Sequence, residues 1–257
     1  MNFTHAMTRK PASSYLQAIT TSGLGLPDLD ITQKQHHAYI QALKLAGLSV
    51  NVLPALEDYP DSVFLEDVAI VEPEFAIQTR PGVLSRRGEA DQITSILTQS
   101  FPQTYSIEAP GTLDGGDICK VENTYFLGLS DRTNLAGAQQ LAAILQYFGY
   151  CSELVDIRPL PGVLHLKSAV NYLGENTLLM DPRLADHPAF QAYSRIVVPI
   201  GEAYAANCLR VNDILLVPDG FPGTLELVTR AGFNPMLLDV SEFRKMDGGL
   251  SCLSLRW

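Results

Sequence analysis

Apolar positions along the chain switch between a helical and an alternating period, and the switch recurs. Over Ile31–Ala46 they fall at Ile31, Ala38, Ile40, Leu43 and Leu45, which predicts an amphipathic helix closed by Gly47. Leu48–Leu53 then alternates as a strand. Val68–Val71 and Phe75–Thr79 predict two short strands joined by Glu72-Pro73-Glu74, followed by a helix over Gly88–Gln99 and a strand over Thr104–Glu108. The order returns with Asp117–Val121, Tyr125–Leu129, a helix over Asn134–Phe148 closed by Gly149, and Ser152–Ile157. It returns again with Leu164–Leu173, Thr177–Met180, a helix around Pro188–Tyr193 and Ile196–Pro199. A last round runs through Ala205–Val211, Ile214–Pro218, a helix over Thr224–Ala231 and Met236–Val240.

The unit strand–strand–helix–strand thus repeats at a spacing of about 50 residues, without sequence identity between rounds. No Pro-, Gly- or Ser-rich linker separates the rounds, which predicts one closed α/β domain over residues 1–257. A doubly wound nucleotide-binding fold would place single strands between its helices, and no GxGxxG follows the first strand here.

Composition narrows the class. Of 257 residues, 46% are apolar, enough for a large core, and the 18% that are charged form no block that would keep the chain disordered. The net charge is −10 and the densest basic spot is Arg86-Arg87, which argues against nucleic acid as a partner. An acidic surface would attract a cationic substrate, although acidity is also ordinary in cytosolic proteins. The N-terminal segment lacks the apolar core of a secretory signal, and the apolar runs fall far short of the roughly 20 residues that span a bilayer. A cytoplasmic protein with no membrane partner is expected. The four cysteines, Cys119, Cys151, Cys208 and Cys252, lie far apart with no CxxC pair, so free thiols are expected rather than a zinc site.

Five segments set polar residues beside apolar runs. Tyr59–Val71 carries Asp61, Glu66 and Asp67, either solvated acids at a loop end or a pocket for a cation. Thr79–Ala90 carries Arg86 and Arg87 at the opening of a helix, after Ser85 as candidate N-cap. Cations oppose the dipole there, and a guanidinium fork suits a carboxylate. Ala109–Lys120 displays Asp114 and Asp117 around two glycines. In Leu164–Gly174, His165 alternates with apolar residues as on a strand. Such a histidine is ordinarily structural, and otherwise a natural proton carrier. In Lys245–Trp257, Cys252 follows Asp247-Gly248-Gly249 and is expected in the final short strand, as an inert core thiol or as a nucleophile needing a base or cation nearby.

Together these segments are specific. The acidic cluster at Asp61–Val68, TRPG and SRRGE within Thr79–Glu89, TLDGGD at Thr112–Asp117, RTN within Leu129–Asn134, LHLKS at Leu164–Ser168, AANC at Ala205–Cys208 and the ending at Asp247–Cys252 follow one order over nearly the whole chain. In this the sequence resembles the dimethylarginine dimethylaminohydrolases of the guanidino-group-modifying (pentein) superfamily. The resemblance implies an α/β propeller of five ββαβ modules and hydrolysis of Nω-methylated arginine to citrulline and methylamine or dimethylamine. It implies Cys252 as nucleophile, His165 as proton donor and base, and Asp114 as the acid orienting the histidine. Some bacterial members carry Glu at the place of Asp114, one methylene longer. It further implies Asp61, Glu66 and Asp67 as contacts to the guanidinium, and Arg86 and Arg132 as holders of the amino-acid end. Ile19 falls in a lid, and Met246 at a substrate-contacting carbonyl. No metal or organic cofactor is implied. A methylarginine is the small-molecule partner, and bacterial relatives often form homodimers.

Two other readings stay open on the residues alone. An arginine deiminase would use the same Cys–His–acid set on unmethylated arginine, although such enzymes are usually longer. A non-catalytic binder of guanidino compounds would be expected to lack the Cys–His pair.

Overall fold

The structure, a computed structural model, describes residues 2–257. Among them are five three-stranded sheets of one pattern: a central strand antiparallel to one neighbour and parallel to the other. The tight turns need left-handed backbone, which Glu122, Glu175, Asn176 and Asn212 supply with φ of 52–55°. The parallel partner lies across a longer connection, as parallel pairing requires.

The chain groups into two compact units. One combines the N-terminal stretch up to Leu65 with Ala169–Trp257 and holds three sheets. In the first of these His5–Arg9 is central, antiparallel to Ser254–Arg256 and parallel to Ser49–Leu53, so the two ends of the chain share a sheet. The connection to Ser49–Leu53 is the helix Leu29–Leu45, capped by Asp28 at one end and by Gly47, at φ 93°, at the other. Tyr15, Tyr39, Leu43, Phe64, Phe243, Leu250 and Leu253 form its core, with Tyr15, Phe64 and Phe243 ring against ring. The other sheets centre on Thr177–Met180 and Ile214–Pro218.

The second unit, Glu66–Ser168, holds two sheets. Their helices are Arg87–Ser100 and Leu135–Tyr147, the latter capped by Asn134. Phe75, Ile77, Leu113, Tyr125, Leu127, Leu141 and Leu145 are its core. A buried carboxylate, Glu72, is held there by the Tyr125 hydroxyl and by Lys120, whose ammonium also lies over the Tyr150 ring.

Several expectations need correction. No helix forms around Pro188–Tyr193. Pro182–Leu184 and Pro188–Phe190 are single 3-10 turns, each opened by a proline that cannot donate to a longer helix. Ser85 does not cap a helix, because Leu84–Arg86 already forms a 3-10 turn and the α-helix starts at Arg87. His165 is not on a strand: the Leu166 N–H goes to Asp117 and the Ser168 N–H to the His165 carbonyl, and the strand starts only at Val170. Cys252 likewise lies on the 3-10 turn Ser251–Leu253, ahead of the final strand. No helix of the described residues is long and apolar enough to cross a membrane.

Candidate active site

The LDGGD segment builds the site of the second unit. Asp114 is fully buried and precedes the one-turn helix Gly115–Asp117. Its Oδ1 accepts the Gly82 N–H at 2.9 Å, and its Oδ2 lies 3.3 Å from His165 Nε2. Asp67 approaches the other side of the ring, with Oδ1 4.0 Å from His165 Nδ1. That gap exceeds a hydrogen bond, so Nδ1 is the ring nitrogen left to exchange a proton. Burial alone would lower the His165 pKa, but the surrounding Asp67, Asp117 and Asp114 outweigh it and push it up to about 9. Asp114 responds in the opposite sense. Burial would raise it, but the His165 hydrogen bond and charge, with Arg86 and the Gly82 N–H, hold it below the usual carboxylate range. Both shifts favour the imidazolium–carboxylate form of the pair.

Asp67 is fixed in turn. The Gly116 N–H donates to its Oδ1 at 3.0 Å, and Arg86 Nη1 pairs with its Oδ2 at 2.6 Å. The same guanidinium grips Glu89 Oε2 at 2.8 Å. Asp67, Asp114 and His165 bring three donor atoms close enough for a metal ion. Arg86, shared between Asp67 and Glu89, already offsets part of the negative charge there. Arg86→Ala would bury Asp67 and Glu89 without that cation. A loss of about 3–5 kcal/mol, or roughly 10 °C in Tm, is expected. Wild-type melting with only weakened substrate affinity would contradict this placement.

Glycine at 116 is a matter of space. A Cβ there would lie 2.7 Å from His165 Nδ1 and 2.8 Å from Asp67 Oδ1. Gly116→Ala must push one of them aside, and a displacement of about 1 Å costs on the order of 100-fold in kcat/KM. An alanine variant as fast as the wild type would show that these groups are not used where they stand.

Asp117, assigned no catalytic or binding role from the sequence, is the hub beneath them. It is fully buried and accepts from the Ser130 hydroxyl (2.6 Å), the Thr133 hydroxyl (2.6 Å) and the Leu166 N–H (3.1 Å). Those groups reach onward: Thr133 Oγ1 accepts the Asp114 N–H, and Ser130 Oγ accepts the Arg132 N–H. One carboxylate thereby ties the backbones carrying Asp114, Arg132 and His165. Burial raises its pKa to about 6, against His165 and the two hydroxyls, which lower it.

The other predicted residues divide between the units. Glu66 pairs with Lys167 in the second unit. Arg132 is half-buried, and its guanidinium makes no ion pair among the described residues. In the first unit, Cys252 is buried on a turn set by Gly248 and Gly249, and the Tyr204 hydroxyl donates to the Gly248 carbonyl at 2.8 Å. Burial, then the charge of Cys252, pushes the Tyr204 phenol up. Asp61 Oδ1 accepts the Ile19 N–H at 3.1 Å. The segment after Ile19 is tied down by Thr20 to the Lys245 carbonyl and by Thr21 to Asp247. The Met246 side chain is packed into the core. Glu89 and Lys167 were missed although both lie inside the quoted motifs; the signal was charge pairing, SRRGE placing Glu89 three residues after Arg86.

A family model described as N,N dimethylarginine dimethylhydrolase, eukaryotic, matches residues 29–182. The N(G),N(G)-dimethylarginine dimethylaminohydrolase of Pseudomonas aeruginosa is 42% identical over 256 residues, covering 99% of this chain and 100% of that protein. The Streptomyces coelicolor protein of the same name is 34% identical, covering 98% of this chain and 96% of its own. A structure of the P. aeruginosa enzyme, as a cysteine-to-serine mutant complexed with citrulline, matches with a TM-score of 0.96 over 100% of both chains. The N-terminal domain of ArgZ, a cyanobacterial arginine dihydrolase, matches with a TM-score of 0.85 at 18% identity, over 100% of this chain and 97% of its own, which is a likeness of fold. The five sheets agree with the five ββαβ modules expected of a pentein. End-to-end identity with two dimethylarginine dimethylaminohydrolases shows that the chain belongs to that family.

Proposed function

We propose that the protein hydrolyses Nω-methylated L-arginine, asymmetric dimethylarginine and monomethylarginine, to L-citrulline and dimethylamine or methylamine. The observation that carries this is the buried His165, held on Nε2 by Asp114 with its pKa pushed up by the surrounding carboxylates, in a chain 42% identical over its length to a dimethylarginine dimethylaminohydrolase.

A guanidinium is a poor electrophile because its charge is delocalised. Asp67, with Asp61, is assigned to localise that charge toward the central carbon, and Arg132 to hold the substrate carboxylate. Glu66 and Arg86, also expected as substrate contacts, are engaged by Lys167 and by Asp67 with Glu89. Support of the acidic cluster is the role their partners favour. The Cys252 thiolate forms a C–S bond to the central carbon, and the bond from that carbon to the methylated nitrogen breaks. His165 gives its Nδ1 proton to the departing nitrogen, which leaves as a neutral amine. The adduct is an S-alkylthiouronium. His165, now neutral, takes a proton from water. The new hydroxyl adds to the carbon, the C–S bond breaks as that hydroxyl releases its proton to solvent, where it balances the amine already set free, and neutral citrulline leaves with the thiolate restored. One histidine serving as acid and then base matches a group whose proton is held but not locked. None of these steps calls on a metal or an organic cofactor.

Assays of asymmetric dimethylarginine, monomethylarginine and arginine side by side test the reading. Citrulline with an equal yield of dimethylamine from the first is expected. Turnover confined to arginine, with ammonia as the amine, would make this member a deiminase instead.

A further inference from the structure

The mechanism assigns nothing to the AANC segment. Asn207 ends the 3-10 helix Ile200–Ala206 and is 4% exposed. Its Oδ1 accepts the Ser251 N–H at 3.0 Å, and its Nδ2 lies 3.8 Å from Cys252 Sγ, within reach of an N–H···S hydrogen bond. The first contact settles the second. A backbone N–H can only donate, so the amide oxygen must face Ser251, and the amide N–H groups are left to face the sulfur. Gly249 completes the fit: a Cβ there would lie 2.5 Å from both Cγ and Nδ2 of Asn207. The glycine before the nucleophile thus makes room for this side chain.

We infer that Asn207 stabilises the Cys252 thiolate by donating a hydrogen bond to Sγ, while its oxygen anchors the turn that carries the cysteine. This rests on Cys252 being the nucleophile proposed above. An N–H donor aimed at a buried sulfur favours the anion over the thiol. It also favours the anion again when the C–S bond of the adduct breaks and the thiolate leaves. A residue that only braced the turn would matter for stability and leave the acidity of the thiol alone.

Asn207→Asp separates the two roles. It keeps nearly the same volume and an oxygen for Ser251, but sets a carboxylate oxygen against Sγ where a donor stood. Asn207→Ala is the second variant, removing the donor without adding charge. The readout is the pH dependence of Cys252 alkylation by iodoacetamide, followed on the Cys252 peptide by mass spectrometry so that exposed Cys151 does not interfere. Each variant is assayed below its own melting midpoint. The apparent pKa of the thiol is expected to rise by about one unit or more in both, equal to a tenfold smaller thiolate fraction at low pH. The kcat is expected to fall by about 100-fold, with KM changed less than kcat. An alkylation profile in either folded variant that overlays the wild type, whatever its Tm, overturns the inference. Alkylation needs no turnover, so this outcome is distinct from failure of the nucleophile assignment, which Cys252→Ser reports separately.

Discussion

Replacing Cys252 by serine is expected to lower kcat by about 10⁴-fold or more, the scale on which hydrolases lose rate when their nucleophile is removed. A hydroxyl in this setting lacks what the thiol has. Serine ionises too weakly to supply an anion near neutral pH, and the Asn207 amide donor stabilises an anion rather than removing a proton. The fold should survive. The substitution is nearly isosteric, the turn is held by Cys252 N–H to Gly249 O at 3.2 Å and by Ser251 N–H to Asn207, and neither bond uses the sulfur. Substrate should still bind, because the residues assigned to the guanidinium and carboxylate are untouched. Cys252→Ser should therefore melt within a few degrees of the wild type, bind dimethylarginine and fail to turn it over. Near-normal citrulline formation would remove Cys252 from the mechanism.

His165 carries the second large effect, and its signature depends on pH and on the leaving group. His165→Gly is expected to lose about 10²–10⁴-fold in kcat on dimethylarginine, the usual worth of a positioned acid–base. The loss should shrink for a substrate whose leaving group departs as a stable anion, since that bond breaks without a proton. Equal impairment on both substrates, with binding lost, would argue against an acid–base role. In the wild type, His165 must be protonated for the first step, and its pKa is pushed up to about 9. The His165 limb of the kcat/KM profile should therefore fall as pH rises through about 9. The sign for stability is the same. The folded state holds this proton more tightly than the unfolded chain, whose histidine titrates near 6.5. The contribution is complete below that value and fades as pH rises through about 9. In His165→Gly this part of the pH dependence should vanish, because no proton remains to be released there.

Local signals carried much of the fold. The helices at Leu29–Leu45 and Leu135–Tyr147 were legible because their apolar periods end at Gly47 and Gly149, both in the left-handed region. The hairpins at Val68–Thr79 and Asp117–Leu129 were legible from their alternation and turns. The strand His5–Arg9 was not: its five residues pair with a segment at the far end of the chain, and nothing local specifies that partner. The site was legible in its residues but not in its supports. His165 alternates with apolar neighbours and Cys252 lies in a short, largely apolar stretch near the chain end, and both read as strand. Both instead lie on turns whose N–H groups are taken up by Asp117 and Asn207, acceptors remote in sequence. Arg86 looked like a ligand-binding cation because it stands at a helix start. Its buried partners Asp67 and Glu89 explain why a cation is tolerated there. In each case the deciding interaction joins residues whose pairing only folding reveals.

The mechanism turns on a covalent bond between Cys252 and the guanidinium carbon of a methylated arginine. Mass spectrometry of the protein, rapidly acid-quenched during turnover of asymmetric dimethylarginine, reads that bond out. A mass gain equal to the substrate less dimethylamine is expected, located on the Cys252 peptide and absent from Cys252→Ser. Steady turnover with no adduct at any quench time, or an adduct on another residue, would contradict it.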